Sequence, residues 1–287
     1  MDTTDLLKKV RKIEIKARGL TRQVFAGEYH SAFKGRGISF SEVREYQYGD
    51  DIGSIDWNVT ARFNHPYVMV FEEERELTVM LLIDVSGSGE FGTRVEYKRE
   101  RITELAALLA FSAIQNNDKI GVIFFSDRVE KFISPQKGRK HILRIIRELL
   151  YFKPESRATS LNDPLRYLTN AIKKRCTAFI ISDFIAPDFE RSLQIASNKH
   201  DVAGLIIYDE SDKVLPDLGF IKVQDPESGD EVWIDSSSRK IRDTYSKWYN
   251  SNKRITDEVL KRCGVDSVEI STGEDYVRPL LKLFKRR

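Results

Sequence analysis

Residues Leu77 to Ile83 form an apolar run, broken only at Thr78, that stops abruptly at Asp84 and continues with hydroxyls at alternate positions, Ser86 and Ser88. A strand buried on both faces needs apolar side chains at successive positions, so the run predicts a central strand of a parallel sheet whose carboxyl end is marked by the polar switch. Ligands of open α/β sheets sit at that rim. One carboxylate among several neutral oxygens suits a hard divalent cation that keeps part of its water shell, the habit of Mg²⁺. The strand end therefore predicts a half-open metal site.

Strand-like runs return at Lys119 to Phe125, Thr177 to Ile181 and Val202 to Tyr208, and helical patterning separates them. A stripe of Val95, Ile102, Leu105, Ala106, Leu109 and Ala113 goes with a Thr93-to-Glu96 capping box, and Ile142, Ile145, Ile146 and Leu149 mark the next helix. Another helical segment surrounds Phe189 to Ala196. Val129 to Ile133 predicts a short hairpin partner that Pro135 ends. A polar helix over Arg239 to Cys263, a last strand at Val265 to Ile270 and a basic-ended helix at Tyr276 to Phe284 close the chain. Strands alternating with helices imply an α/β fold with a doubly wound, mostly parallel sheet and right-handed crossovers.

Two regions depart from this alternation. Residues 3–17 have helical spacing, and Phe33 to Arg75 crowd glycines and aromatics together as in short strands and tight turns. The expected organisation is an amino-terminal helix and β-rich arm over 1–76, then the sheet-bearing domain over 77–287. A hairpin insertion near 219–235 pairs Ile221–Val223 with Val232–Ile234 around Asp225-Pro226-Glu227-Ser228-Gly229-Asp230.

Composition excludes more than it assigns. Lysine plus arginine exceed aspartate plus glutamate by 47 to 44, and a net charge of +3 gives no nucleic-acid or membrane-surface signature. The longest apolar runs fall short of the ~20 residues of a membrane span. Cys176 and Cys263 have no metal-binding spacing and the start has no secretory pattern, so a reducing cytoplasm is the simplest expected home. In Gly87 to Thr93 the glycines have phosphate-loop spacing, but Thr93 stands at the lysine position. Ser86 occupies the position where a nucleophile elbow needs glycine before Ser88. His30, His65, His141 and His200 form no cluster, so no general base is evident.

Two later segments extend the strand-end motif into a candidate site. Phe179-Ile180-Ile181-Ser182-Asp183 repeats the pattern of a buried strand ending in a carboxylate, and if it lies beside the first strand, Asp183 and Asp84 share one crevice. Thr159, in a loop before a helix, adds a third hydroxyl. The expected metal set is Asp84, Ser86, Ser88, Thr159 and Asp183.

That set resembles the metal-ion-dependent adhesion site of von Willebrand factor A domains, an Asp-x-Ser-x-Ser followed by a threonine and an aspartate. More specifically, Gly35-Arg36-Gly37, Phe40, Arg44-Glu45-Tyr46, Gly49-Asp50-Asp51, Ile55-Asp56-Trp57, Ala61-Arg62 and Glu72 to Arg75 resemble the domain-of-unknown-function family numbered fifty-eight. The resemblance runs from about Ala26 to about Tyr245. It implies a von Willebrand A-like fold, Mg²⁺ (or Mn²⁺ or Ca²⁺) as cofactor, and a MoxR-type AAA+ ATPase as partner. It also implies that the last aspartate acts through water. Gly53, Gly89 and Ala158 stand where the family often has arginine, methionine and glycine, and none of these replaces a proposed ligand.

Two carboxylates roughly balance a divalent cation, leaving a coordination position attractive to a partner's acidic side chain. The expected function is a non-enzymatic, metal-dependent protein-interaction module serving assembly or maturation of other proteins. A metal-dependent hydrolase or phosphotransfer enzyme using the same Asp84 is the alternative. Outside the site, Arg36, Arg44 and Arg62 are expected to pair with Asp50, Asp51 and Asp56, and Trp57 to anchor a core.

Overall fold

The computed structural model describes residues 13–14, 16–17, 20, 38–73, 77–90, 98–225, 227 and 229–287. Most of the helix expected over 3–17, the Gly35-Arg36-Gly37 segment and the Thr93-to-Glu96 capping box lie outside the described residues. Contacts separate Phe33–Leu77 from the rest of the chain as a compact unit.

In that smaller unit, β1 (Ile38–Glu45) pairs antiparallel with β2 (Tyr67–Glu73), and α1 (Trp57–Phe63) is part of the connection between them. The three aspartates expected to pair with arginines divide their roles. Asp50 does so: Arg44 donates Nη1–H to its Oδ2 at 2.8 Å and Nη2–H to its Oδ1 at 2.7 Å. Asp56 instead caps α1 by accepting from the amides of Asn58 and Val59, and Asp51 accepts from the amide of Gly53. Short acidic side chains at helix starts satisfy amides that lack intrahelical partners. Trp57 is no core anchor: it is the first residue of α1 and is 67% exposed.

The larger unit is built on six strands in the order β10-β7-β6-β3-β4-β5. These are β3 (Thr78–Asp84), β4 (Lys119–Phe125), β5 (Val129–Gln136), β6 (Thr177–Ser182), β7 (Asp201–Tyr208) and β10 (Asp266–Ser271). All neighbours are parallel except β4 and β5. The central position of β3 explains its composition: Val79 to Ile83 are fully buried. Along β3, side chains alternate between faces, so Met80 and Leu82 join a core with Ile180, Leu165 and Leu193.

Pro135 does not end β5, which continues to Gln136. As the sheet's edge strand, β5 tolerates a residue without an amide hydrogen, and its register with β4 shifts between Ile120 and Val122. There the strands press together: a Cβ on Gly121 would lie 2.9 Å from the Ile133 carbonyl oxygen and from Pro135 N.

Helices fill both faces: α2 (Lys98–Gln115), α3 (Arg139–Tyr151), α4 (Asn162–Ala171), α5 (Glu190–Lys199), the short α6 (Glu210–Lys213), α7 (Arg239–Arg262) and α8 (Val277–Arg286). The sequence stripe predicted one buried face for α2, yet Leu105 to Ala110 are all buried. An apolar, alanine-rich stretch buried all round, as the middle of α2 is, belongs to the interior of a domain. The hairpin β8 (Phe220–Gln224) with β9 (Glu231–Asp235) forms its own two-stranded sheet.

Candidate functional site

After β3 the chain moves to β4 and β5 on one side, and only later to β6 on the other, so the order reverses between β3 and β6. Asp84 ends β3 and Asp183 follows the last residue of β6, which brings both carboxylates to the switch point as the spacing predicted. Asp84 is 5% exposed. Its Oδ1 accepts from the Ser86 amide at 2.9 Å, and its Oδ2 accepts from the Ser182 hydroxyl at 2.6 Å. The Ser86 and Ser88 hydroxyls lie 3.2 Å apart and share a hydrogen bond.

The loop that carries Thr159 is tied to neighbouring strand ends. The Gly87 amide donates to the Arg157 carbonyl at 2.9 Å, and the Ser160 amide donates to the Ser126 carbonyl at 2.9 Å, just beyond β4. Glu130 of β5 holds the other side of the loop, accepting from the amides of Glu155 and Ser156. At the Ala158 position, where the family often has glycine, the amide finds Ser156 Oγ at 3.3 Å. Thr159 is thereby fixed with its side chain inward, and its hydroxyl is buried without a hydrogen bond. A buried hydroxyl left unsatisfied costs about 1–3 kcal/mol.

Electrostatics at the rim are strained in one direction. Burial pushes the Asp84 carboxyl up to about 6, and the nearby charge of Asp183 adds to the rise against the opposing bonds from Ser182 and Ser86. Asp183 is offset by a group that the sequence pattern did not reveal. Lys98 Nζ, buried at the start of α2, lies 3.5 Å from Asp183 Oδ2 and 2.8 Å from Asp212 Oδ2. Burial works against its charged form, but Asp183 and Asp212 outweigh it and raise the Lys98 pKa. Asp212 also accepts from the Asp209 amide, and Asp209 accepts from the Thr272 hydroxyl, so Lys98 is anchored to a buried polar network.

A second group missed from sequence is Glu227, in the turn between β8 and β9. Burial raises its carboxyl above the ordinary glutamate range, Asp183 and Asp225 add to the rise, and the side chain and amide of Thr159 oppose it. The Thr159 hydroxyl still lacks a hydrogen bond of normal geometry, so its approach to Glu227 is an electrostatic neighbourhood. Beside Asp84 and Ser86 a cleft of about 300 Å³ is lined also by Arg99, Lys153 and Arg157.

The donor set can be tested against a hard cation. Two carboxylates and three hydroxyls, one of them the orphaned buried oxygen of Thr159, offer only hard ligands, as Mg²⁺ requires. Among the described residues no cluster of three or more His, Cys, Asp or Glu side chains is placed to hold an ion. Any ion at the rim would therefore draw on the hydroxyls of Ser86, Ser88 and Thr159 as well as on Asp84. The two cysteines are free and buried, and Cys176 Sγ contacts His200 Nδ1 at 3.3 Å. Burial drives the Cys176 thiol up to about 12 and His200 down to about 4, so both stay neutral and the pair is no nucleophile.

A six-stranded sheet with one antiparallel edge strand, helices on both faces and this polar rim at the β3–β6 switch defines a von Willebrand A-like domain. The chain belongs to the family described as Protein of unknown function DUF58, whose profile matches residues 42–255. It is similar to the uncharacterized protein Rv1480 of Mycobacterium tuberculosis, with 28% identity over 293 residues that span 100% of this chain and 91% of the relative. Among solved structures, the conserved hypothetical protein BatB of Bacteroides thetaiotaomicron superposes with a TM-score of 0.51 at 13% identity, covering 73% of this chain and 98% of BatB. The VWA domain of SpRpn10 overlaps with a TM-score of 0.39 at 12% identity, covering 74% of this chain and 95% of that domain. Among the described residues no helix is long and apolar enough to cross a membrane.

Proposed function

We propose that this protein is a non-enzymatic interaction module that docks a partner through a divalent cation, Mg²⁺ or a similar ion. Asp84, Ser86, Ser88 and Thr159 would hold the cation, and Asp183 would act through water. Bound there, a hard divalent ion supplies a Lewis-acidic position that an incoming carboxylate completes. The chain's own residues prepare this: Ser182 and the Ser86 amide orient Asp84, and the Gly87-to-Arg157 bond sets the Thr159 loop against the strand end. The observation that carries the reading is the Thr159 hydroxyl, buried and unsatisfied next to a rim whose main carboxylate is shifted toward its protonated form.

A MoxR-type AAA+ ATPase is the proposed partner, on the family resemblance, and a cytoplasmic setting suits the two free, buried cysteines. Calorimetric titration with Mg²⁺ and Mn²⁺ should give binding by the parent and none by Asp84→Ala; equal binding by both would sink the metal reading. Co-purification with the ATPase should be lost on chelation, and indifference to chelator would count against metal-mediated docking.

A second reading is favoured by the cleft beside Asp84, whose Arg99, Lys153 and Arg157 suit a phosphate group: a metal-dependent hydrolase or phosphotransfer enzyme. Turnover of a generic phosphoester that disappears in Asp84→Ala would establish it over the interaction module.

A further inference from the structure

The two edges of the six-stranded sheet differ in how they are protected. An edge strand offers unpaired amides and carbonyls to any further strand, and a proline or an irregular register blunts it. The β5 edge carries Pro135 and shifts register with β4 twice. At the opposite edge β10 has neither device. Its six residues run in unbroken parallel register with Ala203 to Tyr208 of β7, and β7 is its single strand neighbour among the described residues.

A groove of about 920 Å³ lined by β10 and α8 lies along this edge. Arg286, at the end of α8, donates to Asp266 Oδ1 at the start of β10 at 3.0 Å, so the helix runs back along the strand. Arg278, Lys282 and Arg286 recur every four residues and line the groove as one exposed row. Arg278 and Lys282 make no ion pair among the described residues, and Arg286 keeps 63% of its side chain exposed beside Asp266. On the α7 side of β10 the charge is already balanced, since Glu269 pairs with Lys253 at 2.5 Å. Glu274 and Asp275 lie where α8 begins, and Asp275 accepts from the Val277 amide at 3.1 Å. Four residues of helix advance ~6.0 Å and two residues of strand ~6.7 Å, so alternate side chains of an added strand fall opposite successive cations of the row.

We propose that the β10 edge docks an extended, acidic segment of a partner protein, which adds as a seventh strand and sets alternate carboxylates against Arg278, Lys282 and Arg286. The backbone ladder supplies affinity, and the alternating charges supply register and specificity. A second copy of this chain fits less well: pairing two β10 edges in one continuous sheet brings the two α8 rows together, like charge against like. A nucleic-acid strand would use the row but would meet Glu274 and Asp275, and it gains nothing from an open backbone edge. The docking site is independent of any cation at the β3–β6 rim.

The probe is a fluorescein-labelled peptide of alternating glutamate and threonine, about seven residues long, added to the full chain and read by fluorescence anisotropy. The parent is expected to bind it, and the double variant Arg278→Glu, Lys282→Glu to lose at least about tenfold in affinity. Both side chains are exposed, so thermal melting of that variant should match the parent. Methylating the peptide's amides at one set of alternate positions should abolish binding, and methylating the other set should leave it, because only one set faces the edge. The outward amides of β10 should gain protection from hydrogen exchange when the peptide is bound. Binding that is indifferent to both methylated sets, or to the charge reversal, overturns the proposal. So does absence of binding by the parent, equal binding of a lysine–threonine peptide, or displacement by a single-stranded oligonucleotide at equal concentration. A parent that sediments as a dimer with its β10 amides already protected assigns the edge to a second copy and overturns it as well.

Discussion

The Ser182 hydroxyl donates to Asp84 Oδ2 across 2.6 Å, joining the last residue of β6 to the last residue of β3. With the Ser86 amide on Oδ1, this bond aims the carboxylate and favours its charged form. Removing the hydroxyl in Ser182→Ala should therefore raise the Asp84 pKa beyond about 6. Carboxyl titration by nuclear magnetic resonance reads this directly, and an unchanged or lowered value would contradict the assigned role. Mn²⁺ binding by this variant should weaken most at mildly acid pH, where the loss of ionised Asp84 is greatest.

Asp84 and His200 give the metal-free protein opposing pH responses. The Asp84 pKa rises from 3.8 unfolded to about 6 folded, so the native state binds more protons in that window and stability falls as pH increases through it. His200 falls from 6.5 to about 4, so the unfolded state binds more protons and stability rises with pH over nearly the same interval. At about 1.4 kcal/mol per unit each contribution is a few kcal/mol, and the two act in opposite directions. Asp84→Asn should unmask a steep rise in stability from about pH 4 to 6.5 and should be more stable than the parent at pH 7 without metal. Urea unfolding at several pH values measures both effects, and a parent-like profile in Asp84→Asn would contradict the Asp84 shift.

How far the site can be read from sequence follows from which interactions are local. The Leu77-to-Ile83 run and its polar switch are legible because burial on both faces leaves no choice of residue type in a central strand. Asp183 is legible for the same reason at β6, and Ser182 stood beside it in the motif without showing which oxygen it would bind. Lys98 has no such signature: it is one cation in a helix start, and only the packing of α2 brings it to Asp183 and Asp212. Glu227 is likewise an acidic turn residue until the hairpin is laid against the Thr159 loop. Trp57 shows the opposite failure, since its size argues for burial while the residue lies exposed in the first turn of α1.

Lys98 should prove structural and inhibitory at once. Its ammonium is buried between Asp183 and Asp212, and removing one partner of a buried ion pair costs about 3–5 kcal/mol. Lys98→Met should show a loss of that order in denaturant unfolding, and adding Asp212→Asn should recover part of it by removing the stranded charge. Because Lys98 competes with any cation for Asp183, Lys98→Met should bind Mn²⁺ more tightly than the parent. Unchanged stability, or weaker metal binding in a folded variant, would refute this account.

Thr159 separates a functional group from a structural one most cleanly. Its hydroxyl is buried without a hydrogen bond of normal geometry, and its approach to the Glu227 carboxyl favours only that group's charged form. Thr159→Val keeps the shape and removes the unsatisfied oxygen, which should stabilise the metal-free protein by about 1 kcal/mol. The same change removes a cation ligand and should weaken Mn²⁺ binding by at least about tenfold. Stability and affinity must then move in opposite directions, a result that general loosening of the loop would not produce. A variant less stable than the parent would show that the hydroxyl has a partner in the folded state; a more stable variant with parental Mn²⁺ affinity would remove Thr159 from the centre and leave Asp84, Ser86 and Ser88 to hold the ion.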